Sequence, residues 1–359
     1  MKKQISMRTI AERANCSQMT VSKALRNAPG ISKSTREKIR QLARSMGYTP
    51  NPLVSALMAS RGGRRGGSES GIVIAVVRST LPPDQIEHPN VDKVLKGIRE
   101  RASQTGFLTE DFRLGPRSAD GRALHKVLRA RGIRGIILLP LSADATFEGI
   151  PFANYAVGSV GSASIAQKLP SVDSDCFGNM LLAVRRLEGL GYRRPGLVMS
   201  AGLEEITDLR YHGGFSAAVD SSPNLTQLPI HLLWNPGTRI TLGEWFDQNT
   251  PDVVISGAET LPFLEAAGIQ IPRDTAFAVI DRHSHMKQLA GFTTPFEMIG
   301  SAAVDLVTSQ LYRNEFGLPQ YPKRVVVPGA WIDGLSAPAV SPSFSKSSKK
   351  RHQFGKSAI

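Results

Sequence analysis

At 359 residues, 41% of them hydrophobic, the sequence has the length for two or three domains with real cores, and no apolar run approaches the roughly 20 residues that span a bilayer. Its formal charge of +14 is confined to the two ends: residues 1–67 contribute +12, residues 68–340 contribute −3 and residues 341–359 contribute +5. A small basic module that meets phosphate, joined to a large domain with another task, fits that distribution. Cys16 and Cys176 fall in different modules, which argues against a disulfide framework or a cysteine-rich zinc site, and both read as small buried hydrophobes.

The start, MKKQISMRTIAERA, has lysines without an apolar run behind them and is not a secretory signal, so the expected location is cytoplasmic, with no membrane partner. Ser6 can cap a helix to about Asn15 with Ile10, Ala11 and Ala14 on one apolar face. After the break at Asn15-Cys16-Ser17, Ser17 can cap a second helix to about Leu25 that points Val21, Ala24 and Leu25 inward and leaves Gln18, Met19, Ser22 and Lys23 outward. In a helix-turn-helix these outward positions reach base edges in the major groove: Gln pairs with adenine, Lys donates to guanine and Met packs on a thymine methyl. Ser32 can cap a third helix that Gly47 ends, and its start, crowded with Ser32, Ser34, Thr35 and Arg36, favours a phosphate. Periodicity alone would equally allow an ordinary three-helix bundle.

Asn51-Pro52 opens a fourth, short helix carrying Leu57 and Met58. About eight residues make no stable helix alone, so it is expected to order only when held, with Leu57 and Met58 as a minor-groove wedge. Packing of the same leucines on the next domain is the alternative. Arg61 to Gly67 is a flexible cationic tether.

From Gly71 onward strands and helices alternate. Strands are predicted at Ile72 to Val77, Gly135 to Leu139, Tyr155 to Val160, Gly196 to Ser200, Val253 to Ser256, Phe277 to Asp281 and Arg324 to Val327, and helices at about 90–105, 119–131, 177–190, 209–220, 259–267 and 297–313. Parallel sheets wrapped by helices follow, with functional groups at the carboxyl ends of strands. No G-x-S-x-G, P-loop or G-x-G-x-x-G after a strand is present, which argues against an enzyme. His283 and His285 suggest a metal, but alternate spacing directs them apart unless the loop curls, and no third ligand is evident, so neither metal nor cofactor is expected. Glu204-Glu205 reads as a surface face, and Trp234 as core rather than a sugar-stacking platform. The tail SKSSKKRHQFGK reads as disordered.

The run TIAERANCSQMTVSKALRNAPGISKSTREKIRQLARSMGYTPNP resembles the DNA-binding domain of the LacI/GalR family of transcription regulators, gap-free from Met7 through Ala59. By that resemblance Gln18, Met19 and Lys23 read bases, Ser17, Thr20, Ser22, Ser32 and Thr35 contact phosphate, Leu57 intercalates beside Met58, and Tyr48 and Asn51 belong to the same DNA-binding set. Lys23 stands where many members carry arginine. VDSDCFGN, DLRYHGGF, AAGIQIPRDTAFAVID and GFTTPFEMIGSAAVDLV resemble the family's effector domain, a two-lobed fold like the periplasmic sugar-binding proteins. The fold class implied is an all-α helix-turn-helix domain (1–50), a hinge helix and linker (51–67), a two-lobed α/β effector domain (68–338) and a basic tail (339–359). The first lobe is expected over about 68–168 plus 294–323, the second over about 169–293 plus 324–338.

The resemblance places Arg210 and Asp281 as effector contacts, with Ser79, Asp175 and Ser256 as further candidates. An Arg and an Asp across a cleft suit adjacent hydroxyls. Gly213-Gly214 adds a glycine before Phe215, and Ser256-Gly257 replaces the family's usual Asn-Asp. The implied function is a ligand-responsive repressor of carbohydrate-utilisation genes, a homodimer on a near-palindromic duplex operator with a carbohydrate effector. A purine or other non-sugar effector, an activator, or a free sugar receptor are the alternatives. Dimer contacts are expected from the helices near 90–105 and 297–313, since the tail lacks the leucine heptads of a tetramerising zipper.

Overall fold

The computed structural model describes residues 6–25, 30–46, 48, 72–79, 90–115, 118–139, 149–161, 169–235, 237 and 240–340. Asn51, Leu57 and Met58, and with them the proposed hinge, lie outside the described residues.

Helices α1 (Met7–Arg13), α2 (Gln18–Leu25) and α3 (Lys33–Ser45) each follow a serine that caps the first turn. Ser6, Ser17 and Ser32 accept from the backbone N–H of Thr9, Thr20 and Thr35 at 3.2, 3.1 and 3.1 Å. These bonds satisfy donors that a helix start otherwise leaves open. α1 stops two residues short of the expected end, because Asn15 takes a left-handed conformation (φ 47°) and turns the chain toward α2. Ile10, Ala11, Val21, Ala24, Ile39 and Ala43 close a small common core.

The large domain runs β1 (Ile72–Ser79), α4 (Val91–Gln104), β2 (Phe107–Leu114), α5 (Ser118–Ala130), β3 (Gly135–Leu138), β4 (Ala156–Val160), β5 (Ser171–Ser174), α6 (Cys176–Gly189), β6 (Pro195–Ser200), α7 (Ala201–Ile206), α8 (Arg210–Asp220), β7 (His231–Leu233), α9 (Leu242–Asn249), β8 (Val253–Ser256), α10 (Leu261–Ala266), β9 (Ala276–Val279), β10 (Ala290–Thr293), α11 (Phe296–Arg313), β11 (Arg324–Val327) and β12 (Ala330–Ile332). Two six-stranded sheets result, ordered β11-β5-β4-β3-β1-β2 and β12-β10-β9-β8-β6-β7. Every pair is parallel except β10 with β12. Parallel strands buried on both faces need unbroken apolar runs, and Ile74 to Val77, Ile136 to Leu138 and Val253 to Ile255 supply them.

The chain crosses between sheets after β5, β10 and β11, and here the expected lobe boundaries need correcting. Dividing the lobes at residues 169 and 324 assigns β5 and β11 to the second lobe, yet both complete the first sheet, with Arg324 in register with Ser171. Val172 and Val327 pack into one core with Ile74, Ile98 and Val307, and that burial decides their sheet. α11 returns to the first lobe as expected, where it lies unusually close to α4. A Cβ on Gly97 would sit 1.9 Å from the Glu297 carbonyl oxygen, and one on Gly300 would sit 2.1 Å from that of Val94. In the second lobe Gly214 does the same for α8 on α6, its absent Cβ falling 2.6 Å from the Phe177 carbonyl oxygen, so the extra glycine of Gly213-Gly214 has a packing role.

Candidate functional site

Two surfaces gather the expected site residues. On the N-terminal domain, Ser17, Met19, Thr20, Lys23, Ser32 and Thr35 line a single shallow cleft with Gly30 and Ile31, between the starts of α2 and α3. Val21 and Ala24 are fully buried on the opposite face, which leaves Gln18 and Met19 outward, the latter 67% exposed. The Ser17–Thr20 and Ser32–Thr35 hydroxyl pairs, 2.9 and 2.7 Å apart, sit at these two helix starts. None of the three helices has an acidic residue in its first turn. Positive helix-dipole ends flanked by hydroxyls and free of carboxylates suit phosphate oxygens. Ser22 and Lys23 are half-buried, and Tyr48 packs against the three-helix core, where burial raises its phenol pKa.

The second surface gathers residues near the carboxyl ends of strands of both sheets, together with Arg324 at the start of β11. Asp281, just past β9, accepts at 2.8 Å from Nδ2 of Asn90, at the start of α4 in the first lobe. His283 Nε2 lies 3.7 Å from the same oxygen. Arg210, the first residue of α8, donates to Asp208 at 3.0 Å. Asp208 also faces Arg324 of β11 at 3.8 Å, and Arg324 pairs at 3.1 Å with the buried Asp173 of β5. Tyr211, the residue after Arg210 in α8, is buried. Burial drives its pKa well up, Cys176 and the Asp281 carboxylate add to the rise, and Arg210 opposes it.

The remaining candidates fall differently. Asp175 caps α6, accepting from Gly178 N–H at 2.9 Å. Ser79 is buried at the end of β1, where its carbonyl accepts from Arg113 at 2.9 Å. Ser256 is fully buried with its hydroxyl bonded to Thr260, so it braces the end of β8 beneath the cleft surface.

Two sequence readings are overturned, those of Trp234 and Glu204, while the histidine pair meets the curled-loop condition set for it. Trp234 is 62% exposed, edge-on to Phe263 at 5.6 Å, because a left-handed backbone (φ 55°) at the end of β7 turns it out of the core. His283 and His285 stack at 5.6 Å with 9° between planes, since the 283–286 turn curls the loop. Among the described residues no group of three potential metal ligands comes together. Glu204 is buried in α7, and burial raises its carboxyl pKa to about 7. An acid after a strand end on a six-residue helix was the one available sequence signal for it. Sequence reasoning also missed Asn90, Asp173, Asp208 and Arg324, which become neighbours only through the three crossings.

Residues 6–51 match the family described as bacterial regulatory proteins, lacI family. The N-terminal domain is a LacI-family DNA-binding domain. Beyond it, the chain is 23% identical over 321 residues to the sucrose operon repressor of Escherichia coli, covering 83% of this chain and 92% of that one. Among solved structures it is similar to the transcriptional regulator CelR in complex with cellobiose (TM-score 0.56, 19% identity, 93% of this chain and 100% of that one). It is also similar to the lac repressor dimer bound to operator and the anti-inducer ONPF (TM-score 0.55, 17% identity, 94% and 100%). These likenesses establish the fold of the described residues: a helix-turn-helix followed by a two-lobed α/β domain. No helix among the described residues is long and apolar enough to cross a membrane.

Proposed function

We propose that this LacI-family chain is a sequence-specific transcriptional repressor whose operator affinity is set by a sugar-like effector held between the two lobes. The carrying observation is the LacI-family domain joined to a two-lobed domain in which Asp281 of the second lobe is bonded to Asn90 of the first. Gln18, Met19 and Lys23 read base edges; Ser17, Thr20, Ser22, Ser32 and Thr35 hold phosphate; Arg210 and Asp281 bind adjacent hydroxyls. A homodimer on a near-palindromic site fits the two-fold symmetry of such readers. Sucrose and cellobiose in the names of the similar proteins support carbohydrate as the effector class.

In this reading effector occupancy moves the lobes, and their motion alters the segment at 51–67 that joins them to the DNA-binding domain. A few kcal/mol of differential affinity suffices to switch such an equilibrium. A thermal-shift screen of the full chain against neutral and phosphorylated sugars identifies the ligand by mass-action stabilisation. Gel shifts with Arg210→Ala and Asp281→Ala then test the site. Both variants are expected to hold operator DNA and to ignore the ligand; a normal response sinks the assignment. Leu57→Gly tests the intercalating leucine in the same assay.

A further inference from the structure

The connection between α7 and α8 places two consecutive non-glycine residues in the left-handed region, Asp208 at φ 51° and Leu209 at φ 57°. Side chains rarely adopt that conformation, and a pair persists only where its surroundings fix it. Here it carries Asp208 to a point where one carboxylate oxygen serves two guanidinium groups, Arg210 at 3.0 Å and Arg324 at 3.8 Å. Arg324 in turn pairs with the buried Asp173 at 3.1 Å. Asp173, Arg324, Asp208 and Arg210 thus form an alternating chain of zero formal charge that begins in the first sheet and ends at the arginine of the second lobe.

We propose that Asp208 is a specificity-determining residue: by engaging Arg210 it reserves the cleft for uncharged, hydroxyl-bearing ligands and excludes anionic ones such as phosphorylated sugars. The proposal rests on reading Arg210 as an effector contact. An unengaged guanidinium is a bidentate phosphate receptor. With Asp208 on the same guanidinium, an arriving phosphate meets a carboxylate at contact distance. A sugar hydroxyl escapes this repulsion, since it accepts from the guanidinium and donates to either carboxylate without bringing a charge to desolvate.

Inorganic phosphate is the probe, titrated calorimetrically into the full-length wild type, Asp208→Asn and the double variant Asp208→Asn/Arg210→Gln. Asn keeps the tolerance for positive φ and removes the charge, and Asp208→Gly, which suits the same backbone, repeats the test if the Asn protein does not fold. D208N is expected to bind phosphate at least about tenfold more tightly than wild type, and the double variant to lose that gain. Equal phosphate affinity in wild type and D208N, or a gain that survives loss of Arg210, overturns the proposal. Because phosphate titration needs no identified effector, such a failure leaves the effector reading standing, and failure of Arg210→Ala in the operator assay leaves these isotherms unchanged.

Discussion

Asn90 of the first lobe donates its side-chain amide to the carboxylate of Asp281 in the second at 2.8 Å. Asn90 stands at the N-cap of α4 and makes no side-chain cap hydrogen bond; its Nδ2 donor reaches the other lobe. The residue is 2% exposed, and removing a buried partner of a charged acceptor costs about 1–3 kcal/mol. Asn90→Ala is expected to lower the unfolding free energy measured in urea by that amount and to expand the effector-free chain in small-angle scattering, because one tie between lobes is gone. Unchanged stability and radius of gyration would show that this bond does not join the lobes.

The helix pair α4–α11 gives the second prediction. Gly300 faces the Val94 carbonyl so closely that any side chain must push the two backbones apart, and backbone, unlike a flexible side chain, cannot swing away. Gly300→Ala is expected to destabilise by about 1–3 kcal/mol despite the better helix propensity of alanine. Denaturant unfolding checks the sign. A more stable alanine variant would mean that the helices separate at no cost.

The parts of this molecule legible in its sequence are those set by local chemistry. Serine caps announced three helices, and continuous apolar runs announced β1, β3 and β8. β2 escaped because Phe107-Leu108 are followed by three polar residues in a row, Thr109 to Asp111, so the segment is neither an apolar run nor a regular alternation; at this sheet edge Phe107 and Leu114 are buried and the residues between them are partly or fully exposed. β7 and β12, three residues each, are too short to show a period. Sheet membership of β5 and β11 is a long-range choice made by packing, which no local pattern carries. The site divides the same way: Arg210 and Asp281 were visible in motifs, whereas Asp208 and Arg324 meet across 116 positions of chain through the lobe crossings. Glu204 looked like half of a surface acid pair because a six-residue helix gives too little periodicity to tell inside from outside.

Glu204 yields a pH prediction. Burial raises its carboxyl pKa to about 7 from the ordinary 4.5. The folded state therefore holds a proton that the unfolded chain releases near pH 4.5. Below that pH the group is neutral in both states and costs nothing; as pH rises toward 7 the unfolded state gains, and the penalty is complete once the folded carboxyl ionises. The shift corresponds to on the order of 3 kcal/mol lost between pH 4.5 and 7. His212 Nδ1, 3.7 Å from the carboxylate and substantially exposed, offers only a screened partner. Glu204→Gln is expected to flatten stability over that interval and to exceed the wild type at pH 8. Parallel pH profiles of the two unfolding midpoints would place the titrating group elsewhere.

The proposed DNA-binding roles of Gln18 and Ser32 are separable by experiment. Gln18 is exposed at the start of α2, where a bidentate amide contact to a base would discriminate by about 1–3 kcal/mol, whereas Ser32 at the start of α3 is proposed to meet phosphate, which is the same in every sequence. Gln18→Ala is expected to weaken cognate operator binding roughly 5- to 150-fold and to leave binding to a scrambled duplex unaltered. Ser32→Ala is expected to weaken both duplexes equally, and to cost the domain about 1 kcal/mol of stability because the same hydroxyl caps α3 through Thr35. Fluorescence anisotropy on the two duplexes, with thermal unfolding beside it, distinguishes the roles. Should Gln18→Ala weaken both duplexes alike, α2 is held against the backbone and base reading belongs to another element.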